Sequence, residues 1–326
     1  MRVSILLIVY LLFSNPVETL PNEEYSGVAM DVEAGVGENP QVAFGVEALQ
    51  MPELPIKIAD SAFKPLESCR NRDLQTRLNK QLLGNPVFAR LISSRKLCLG
   101  LVDLTDWKNP RYASINGKEM MYAASLPKIA VLLAVEDAIY KGEVEETNAL
   151  REDMNQMIRY SNNSATSRII DLLGYEKIES VLRDPENQFY EESEGGGLWV
   201  GKMYSRSGKT NREPMKNLSH AANVFQASRF YYRLAYGKLV SYDRSADMLE
   251  VMKDPALKHK FVHILGQIAP EAELYRKSGS WKSWHSDSIL VWDTDRKYIL
   301  VALTEDPGGE QIVRSLVRPV EKVLKL

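Results

Sequence analysis

The sequence predicts an α/β fold: an antiparallel sheet flanked by N- and C-terminal helices, with an inserted all-α lobe. Three observations carry this expectation. Leu97-Cys-Leu-Gly-Leu-Val-Asp-Leu104 alternates as a strand does, and strand-like runs over 274–280, 288–292 and 298–304 crowd the far end of the chain. Between them, from Ser125 to about Gly266, apolar residues recur at three and four, the period of a helix. Strands at both ends with helices between imply a sheet interrupted by a helical insertion.

The elements follow in order. Met1-Arg2 and the apolar run Val3–Phe13 predict a secretory signal over 1–20, since the run is shorter than the ~20 residues needed to span a bilayer. Cleavage would fall near Val17-Glu18-Thr19, a substitute for the usual pair of small residues. The expected location is therefore periplasmic or secreted, with no stable membrane span after cleavage. Residues 21–61 open as PNEEYSGVAMDVEAGVGENP, acidic and aperiodic, and read as a linker or tail. The domain is expected over 62–326, its sheet part from 62–122 and 273–326 and its helical part from 123–272.

Residues 70–94 have helical spacing broken at Gly84-Asn85-Pro86, and a turn is expected over Asp106–Pro110. A second strand is expected across Tyr112–Tyr122, with a hairpin near Asn116-Gly117. Ile129–Ile139 is almost continuously apolar, as a helix buried on most sides would be. Residues 154–173 and 218–239 read as further helices. Between these two, 184–216 holds five glycines and reads as a long loop, a feature that inside a compact region is usually functional. Residues 288–292 and 298–304 are joined by a turn at Asp293–Arg296, and an amphipathic helix over Glu310–Leu324 closes the chain.

Composition excludes whole classes. Of 326 residues, 44% are hydrophobic and 26% charged, with 41 Lys+Arg against 43 Asp+Glu and a net charge of −2. A chain so balanced has no clustered basic surplus for phosphates, so no nucleic-acid partner is expected. Its two cysteines, Cys69 and Cys98, are too few for a disulfide scaffold or a four-cysteine zinc site. Export would permit one bridge between them; two separate buried thiols are the alternative.

Chemistry enters through three short motifs. Ser125-Leu-Pro-Lys128 puts a hydroxyl and an amine on one helical turn, where residues three apart share a face. A serine hydroxyl is a poor nucleophile until a base takes its proton, and lysine serves only when its pKa is lowered. Ser61–Lys64 and Ser93–Lys96 have the same spacing but precede no buried helix, and read as solvated surface. Ser161-Asn162-Asn163 supplies a second hydroxyl for proton relay and an amide for substrate, although alone it is an ordinary helix cap. Lys277-Ser278-Gly279, on the first terminal strand, offers a cation, a hydroxyl and a glycine past which a ligand can approach the backbone.

Together and in this order, the motifs resemble the S-x-x-K, S-D-N and K-T-G signature of class A β-lactamases and penicillin-binding proteins. The resemblance to this serine β-lactamase and D,D-peptidase superfamily covers roughly 62–326 and implies a β-lactamase/transpeptidase-like fold with its site between sheet and lobe. It implies a serine hydrolase that forms an acyl-enzyme on Ser125, with Lys128 as base, Ser161 as relay and Lys277 as electrostatic aid. Asn163 and Ser278 would hold substrate, Gly279 would admit it, and the N–H groups of Ser125 and Ser280 would form the oxyanion hole. The implied partner is a small-molecule β-lactam or a cell-wall peptide; no cofactor or metal is implied.

The chain departs from the pattern in three places. The Glu-x-x-Leu-Asn loop that supplies a deacylating base in class A enzymes is missing, leaving Glu191, Glu192 and Glu194 as candidates or no base at all. Lys282, Arg276 and His285 are the candidates for the arginine that binds the substrate carboxylate. The stretch between the first two motifs is short, implying a trimmed lobe and a more open cleft. A serine enzyme that acylates and then stalls, or a non-catalytic penicillin- or cell-wall-binding protein, is the alternative reading. Two near-motifs fall away. Gly196–Lys202 resembles a phosphate loop but continues to Met203, and His259–His263 has zincin spacing with Lys260 in the glutamate's place, so its histidines read as surface residues on a helix. The aromatics Phe230, Tyr231, Tyr232 and Tyr236 are expected in the core.

Overall fold

The computed structural model describes residues 51–326; the expected signal and most of the acidic tail lie outside the described residues. A five-stranded antiparallel sheet runs in the order Arg111–Ile115, Leu97–Asp103, Lys297–Glu305, Trp284–Trp292, Glu273–Trp281. The expected α/β architecture is the one observed. The C-terminal strand lies centrally, pairing Leu97 with Thr304 on one side and Trp292 with Lys297 on the other.

Alternation along these strands builds two cores. Leu99, Leu101, Ile289, Val291, Leu300 and Ala302 face the helices Arg72–Leu83, Pro86–Ser93, Phe261–Ile268 and Val317–Leu324. Val102, Leu290, Trp292, Ile299, Val301 and Leu303 face the larger core, built on the buried helix Lys128–Tyr140. The three inner strands are thus apolar on both faces, the pattern of a sheet covered on both sides. Local chemistry starts the covering helices: Asn71 accepts from the N–H of Leu74, and Asn85 accepts from Val87 immediately ahead of Pro86 at the first helical position.

Several expectations are corrected. No hairpin forms at Asn116-Gly117, because Met121–Tyr122 leaves the main sheet to pair with His220–Ala222, which in turn pairs with Trp199–Val200. The helix expected over 218–239 therefore begins only at Val224. The loop over 184–216 contains the short strands Tyr190–Glu191, Gly196–Gly197 and Trp199–Val200. The closing helix breaks at Leu316, where Pro319 in the next turn has no N–H to continue the ladder. Residues 52–56, expected in the tail, lie on the domain: Trp292 donates to Pro52 O, and Ile56 N–H donates to Ala235 O. Cys69 and Cys98 are separate buried thiols, the first beside the Tyr232 hydroxyl and the second beside Met121 sulfur. Phe230, Tyr231, Tyr232 and Tyr236 are core residues, as expected.

Among the described residues no helix is long and apolar enough to cross a membrane. The helix Val224–Ala235 crosses the sheet at Gly100, where an added Cβ would lie 2.3 Å from Ser228 Oγ and 3.0 Å from Val224 O. Gly100→Val should therefore lift this helix and cost about 1–3 kcal/mol, measured as a lowered midpoint in urea unfolding.

Candidate active site

Ser125 lies in the turn Ala123–Pro127, between the short strand Met121–Tyr122 and the helix Lys128–Tyr140. The turn is strained: Ala124, which is not glycine, has φ +50°. Three bonds hold it. Ala123 O accepts from Ser286 Oγ at 2.8 Å, Ala123 N–H donates to His220 O at 2.9 Å, and Ala124 O accepts from the Tyr204 hydroxyl at 3.3 Å. Glu273–Trp281 is the edge strand of the sheet, and the turn packs against it at Gly279. A Cβ on Gly279 would fall 2.4 Å from Ala123 O and 2.5 Å from Ser125 N, so only glycine lets the strand approach the turn this closely.

Behind the turn, Lys128 begins its helix with no exposed surface. Its ammonium nitrogen donates to Ser161 O at 2.7 Å and to Asn163 Oδ1 at 2.8 Å, and stands 4.6 Å from the centre of the Tyr204 ring. Burial without a carboxylate partner lowers its pKa to about 7. Ser161 has φ +58° and joins the helices Asn148–Arg159 and Asn163–Leu173, the second capped by Asn162, which accepts from Ala165 N–H. Its hydroxyl oxygen accepts from Lys277 Nζ at 2.9 Å. Lys277 is also buried, and burial followed by the nearby charge of Lys128 holds its pKa well below the usual lysine range.

The residues singled out in sequence come together in part, and among the described residues no hydrogen bond joins the Ser125 hydroxyl to Lys128 or Ser161. Ser125, Asn163 and Ser280 line a cleft of about 540 Å³. Asn163 is bonded to Lys128, Lys128 to Ser161, and Ser161 to Lys277 in a chain leading inward. Ser278 is buried and is not among the cleft-lining residues. Arg276 is spent elsewhere, locked to Asp287 at 2.6 Å with both side chains buried. Lys282 lines the cleft, as do Trp281 and Trp284, while His285 stands behind Ser280, its Nδ1 3.4 Å from the hydroxyl. None of Glu191, Glu192 and Glu194 lines it: Glu194 pairs with Lys118 at 2.7 Å and Glu192 faces Arg183. Among the lining residues there is no carboxylate.

Sequence reasoning missed three participants. Tyr204 covers Lys128, and His220, held near pKa 4 by burial, fixes the cleft wall by donating from Nε2 to Lys202 O at 2.9 Å. Both lie in or beside the loop read only as functional, with no spacing to mark them. The third is Lys260. The expectation of two surface histidines on a helix is corrected: His259 is half-buried ahead of the helix, and only His263 is exposed on it. Lys260 between them is fully buried and donates to Gly279 O, Ser280 Oγ and Ser286 O at 2.6, 2.8 and 2.9 Å. It braces the strand that meets Ser125. No cluster of three metal-ligating side chains occurs among the described residues.

A sheet with helices on both faces and a serine-lysine cleft at its edge strand defines a class of fold shared with known structures. The β-lactamase of Sphaerobacter thermophilus superposes with TM-score 0.57 at 18% identity, over 73% of this chain and 97% of that one. A mutant of PBP-A solved as an acyl-enzyme complex with penicillin G gives TM-score 0.57 at 19% identity, over 81% and 99% of the two chains. A reconstructed class A enzyme, the last common ancestor of Gram-negative bacteria β-lactamases, gives 0.58 at 14%, over 76% and 99%. The chain belongs to the β-lactamase enzyme family, whose model matches residues 143–322. No curated protein sequence matches it.

Gly279→Ala tests the close approach of strand and turn. The added methyl meets two backbone atoms of the turn, so stability should fall by about 1–3 kcal/mol, with faster amide exchange at Ser125 as the local sign. Unchanged exchange there would mean that strand and turn do not meet.

Proposed function

We propose that this protein is a serine hydrolase that forms an acyl-enzyme on Ser125 with a β-lactam or a peptidoglycan-like amide. The supporting observation is the chain of bonds running from the cleft wall through Asn163, Lys128 and Ser161 to Lys277. Ser125 Oγ attacks the carbonyl carbon and gives its proton to neutral Lys128. The amide C–N bond breaks, and the leaving nitrogen takes a proton through Ser161, whose hydroxyl is polarised by Lys277. The Ser125 and Ser280 N–H groups receive the developing oxyanion, each such donor being worth about 2.7–4 kcal/mol of barrier in comparable enzymes. Asn163 directs its Oδ1 to Lys128, which leaves its NH2 for a substrate carbonyl. Water then hydrolyses the ester.

A specific observation favours slow turnover as the second reading. No carboxylate lines the cleft, so no carboxylate base stands ready to activate the deacylating water. The protein then acylates and stalls, which is penicillin-binding behaviour.

Intact-mass spectrometry after incubation with benzylpenicillin tests both readings. One adduct on Ser125, persisting after excess drug is removed, supports acylation with slow release; rapid loss with formation of penicilloate supports efficient hydrolysis. Ser125→Ala should abolish the adduct and shift the melting temperature by less than about 2 °C, as expected of a half-exposed hydroxyl. Labelling that survives this change removes Ser125 as nucleophile.

The pH profile tests the base. Lys128 acts neutral, and its pKa near 7 makes the neutral form dominant only above that value. The labelling rate should therefore rise with pH through about 7 and level off beyond it. A rate that stays flat from pH 6 to 8 assigns the proton to another group.

A further inference from the structure

The cleft has an electrostatic character that the acyl-transfer steps do not use. Lys202, Arg212 and Lys282 line it, and among the described residues none of the three has a carboxylate within ion-pair distance. The loop neighbours of Lys202 and Arg212 behave differently. Arg206 is paired with Asp171, Lys209 with Glu176 at 2.8 Å, and Lys216 with Glu119 at 2.5 Å. The loop thus neutralises the cations that point elsewhere and leaves unpaired those that face the cleft. Arg212 makes one protein hydrogen bond, from Nη1 to Asn217 O, which leaves most of its planar fork open to a carboxylate.

These cations stand in two places. The Tyr122 ring lies between the cleft walls, 6.0 Å from the His220 ring and 6.2 Å from the Trp284 ring. Lys202 and Arg212 belong to the His220 wall, where His220 is bonded to Lys202 O; Lys282 belongs to the hairpin that carries Trp281 and Trp284. One carboxylate on a ligand would employ one of these positions and leave the other empty.

We propose that the substrate of this cleft is at least doubly anionic, with one carboxylate received beside Lys282 and a second, on the acyl part, received by Lys202 and Arg212. The inference rests on the acyl-enzyme reading and makes Lys202 and Arg212 specificity-determining. Unpaired charges of one sign at a cleft mouth raise the encounter rate of oppositely charged ligands, and salt weakens the effect.

The test compares two penicillins that differ by one carboxylate on the side chain, α-carboxybenzylpenicillin and benzylpenicillin. The readout is the second-order rate of Ser125 labelling by intact mass, at low and at 0.5 M salt. The expected result is a rate roughly tenfold higher for the dicarboxylate at low salt. That advantage should shrink at high salt and fall to about one in the double variant Lys202→Met/Arg212→Met. If both compounds label Ser125 but the ratio is near one, or survives the double substitution, the anionic-substrate inference is overturned while the acyl-enzyme reading stands. If neither labels Ser125, the acyl-enzyme reading for penicillins fails, and the inference with it.

Discussion

Two buried lysine side chains, neither with a carboxylate partner, meet at one serine. Lys128 bonds the Ser161 carbonyl and Lys277 bonds its hydroxyl. Cations are almost never buried this way, because losing water disfavours the charged form and no opposite charge compensates. The arrangement persists because the surroundings leave it no alternative. Lys128 is fixed by a helix buried on all sides, Lys277 by a strand whose inner neighbour is itself an interior strand, and Ser161 by a left-handed backbone between two helices. The stabilising work is done by the two hydrophobic cores, and the unfavourable electrostatics is concentrated at one point. That is the usual relation between a scaffold and a site that needs perturbed pKa values.

Charge placement accounts for what the cleft favours and what it lacks. Under the proposed reading Lys128, near pKa 7, accepts a proton at neutral pH, and Lys277 behind Ser161 eases delivery of one to a leaving nitrogen. Nothing comparable is arranged for the second half of a hydrolytic cycle, since the acidic residues of the 191–194 hairpin are drawn to Lys118 and Arg183. Lys202 and Arg212 on one wall and Lys282 on the other are the charges that line the cleft, and the proposed ligand supplies the opposite sign. The proposed acylation and the proposed substrate polarity both rest on this imbalance.

Much of this was legible in the sequence, for reasons that differ by element. The terminal strands and the Lys128–Tyr140 helix announce themselves because burial on all sides leaves uninterrupted apolar runs. The site motifs were legible because their setting restricts residue type: Gly279 tolerates no Cβ, and Lys128 bonds both Ser161 and Asn163. The small sheet formed by Met121–Tyr122, His220–Ala222 and Trp199–Val200 was not legible, because strands of two or three residues have no period and owe their pairing to distant chain. Lys260 was hidden for another reason. A lone lysine before a helix looks solvated, and only the fold shows three oxygens of two strands aimed at its ammonium.

Chemistry and selectivity are anchored differently. Ala123, Leu126 and Ile129, on either side of Ser125 and Lys128, belong to the large core, so the turn that carries Ser125 cannot move without disturbing the interior. The cation-bearing loop is held largely by polar bonds, to its own backbone and to Asp171, Glu176 and Glu119 outside it. Buried Glu213 accepts from the N–H groups of Met215, Lys216 and Leu218 and from the Tyr190 hydroxyl, and so fixes Arg212 beside it. Asn211, on the other side of Arg212, is tied to Gly201 and Trp199. A loop organised by its own carboxylate tolerates exchange of its outward residues, since those make few contacts that the core depends on. Lys202 and Arg212 are therefore the cleft positions whose exchange costs the fold least, while Ser125, Lys128, Ser161 and Lys277 are bound to the fold itself.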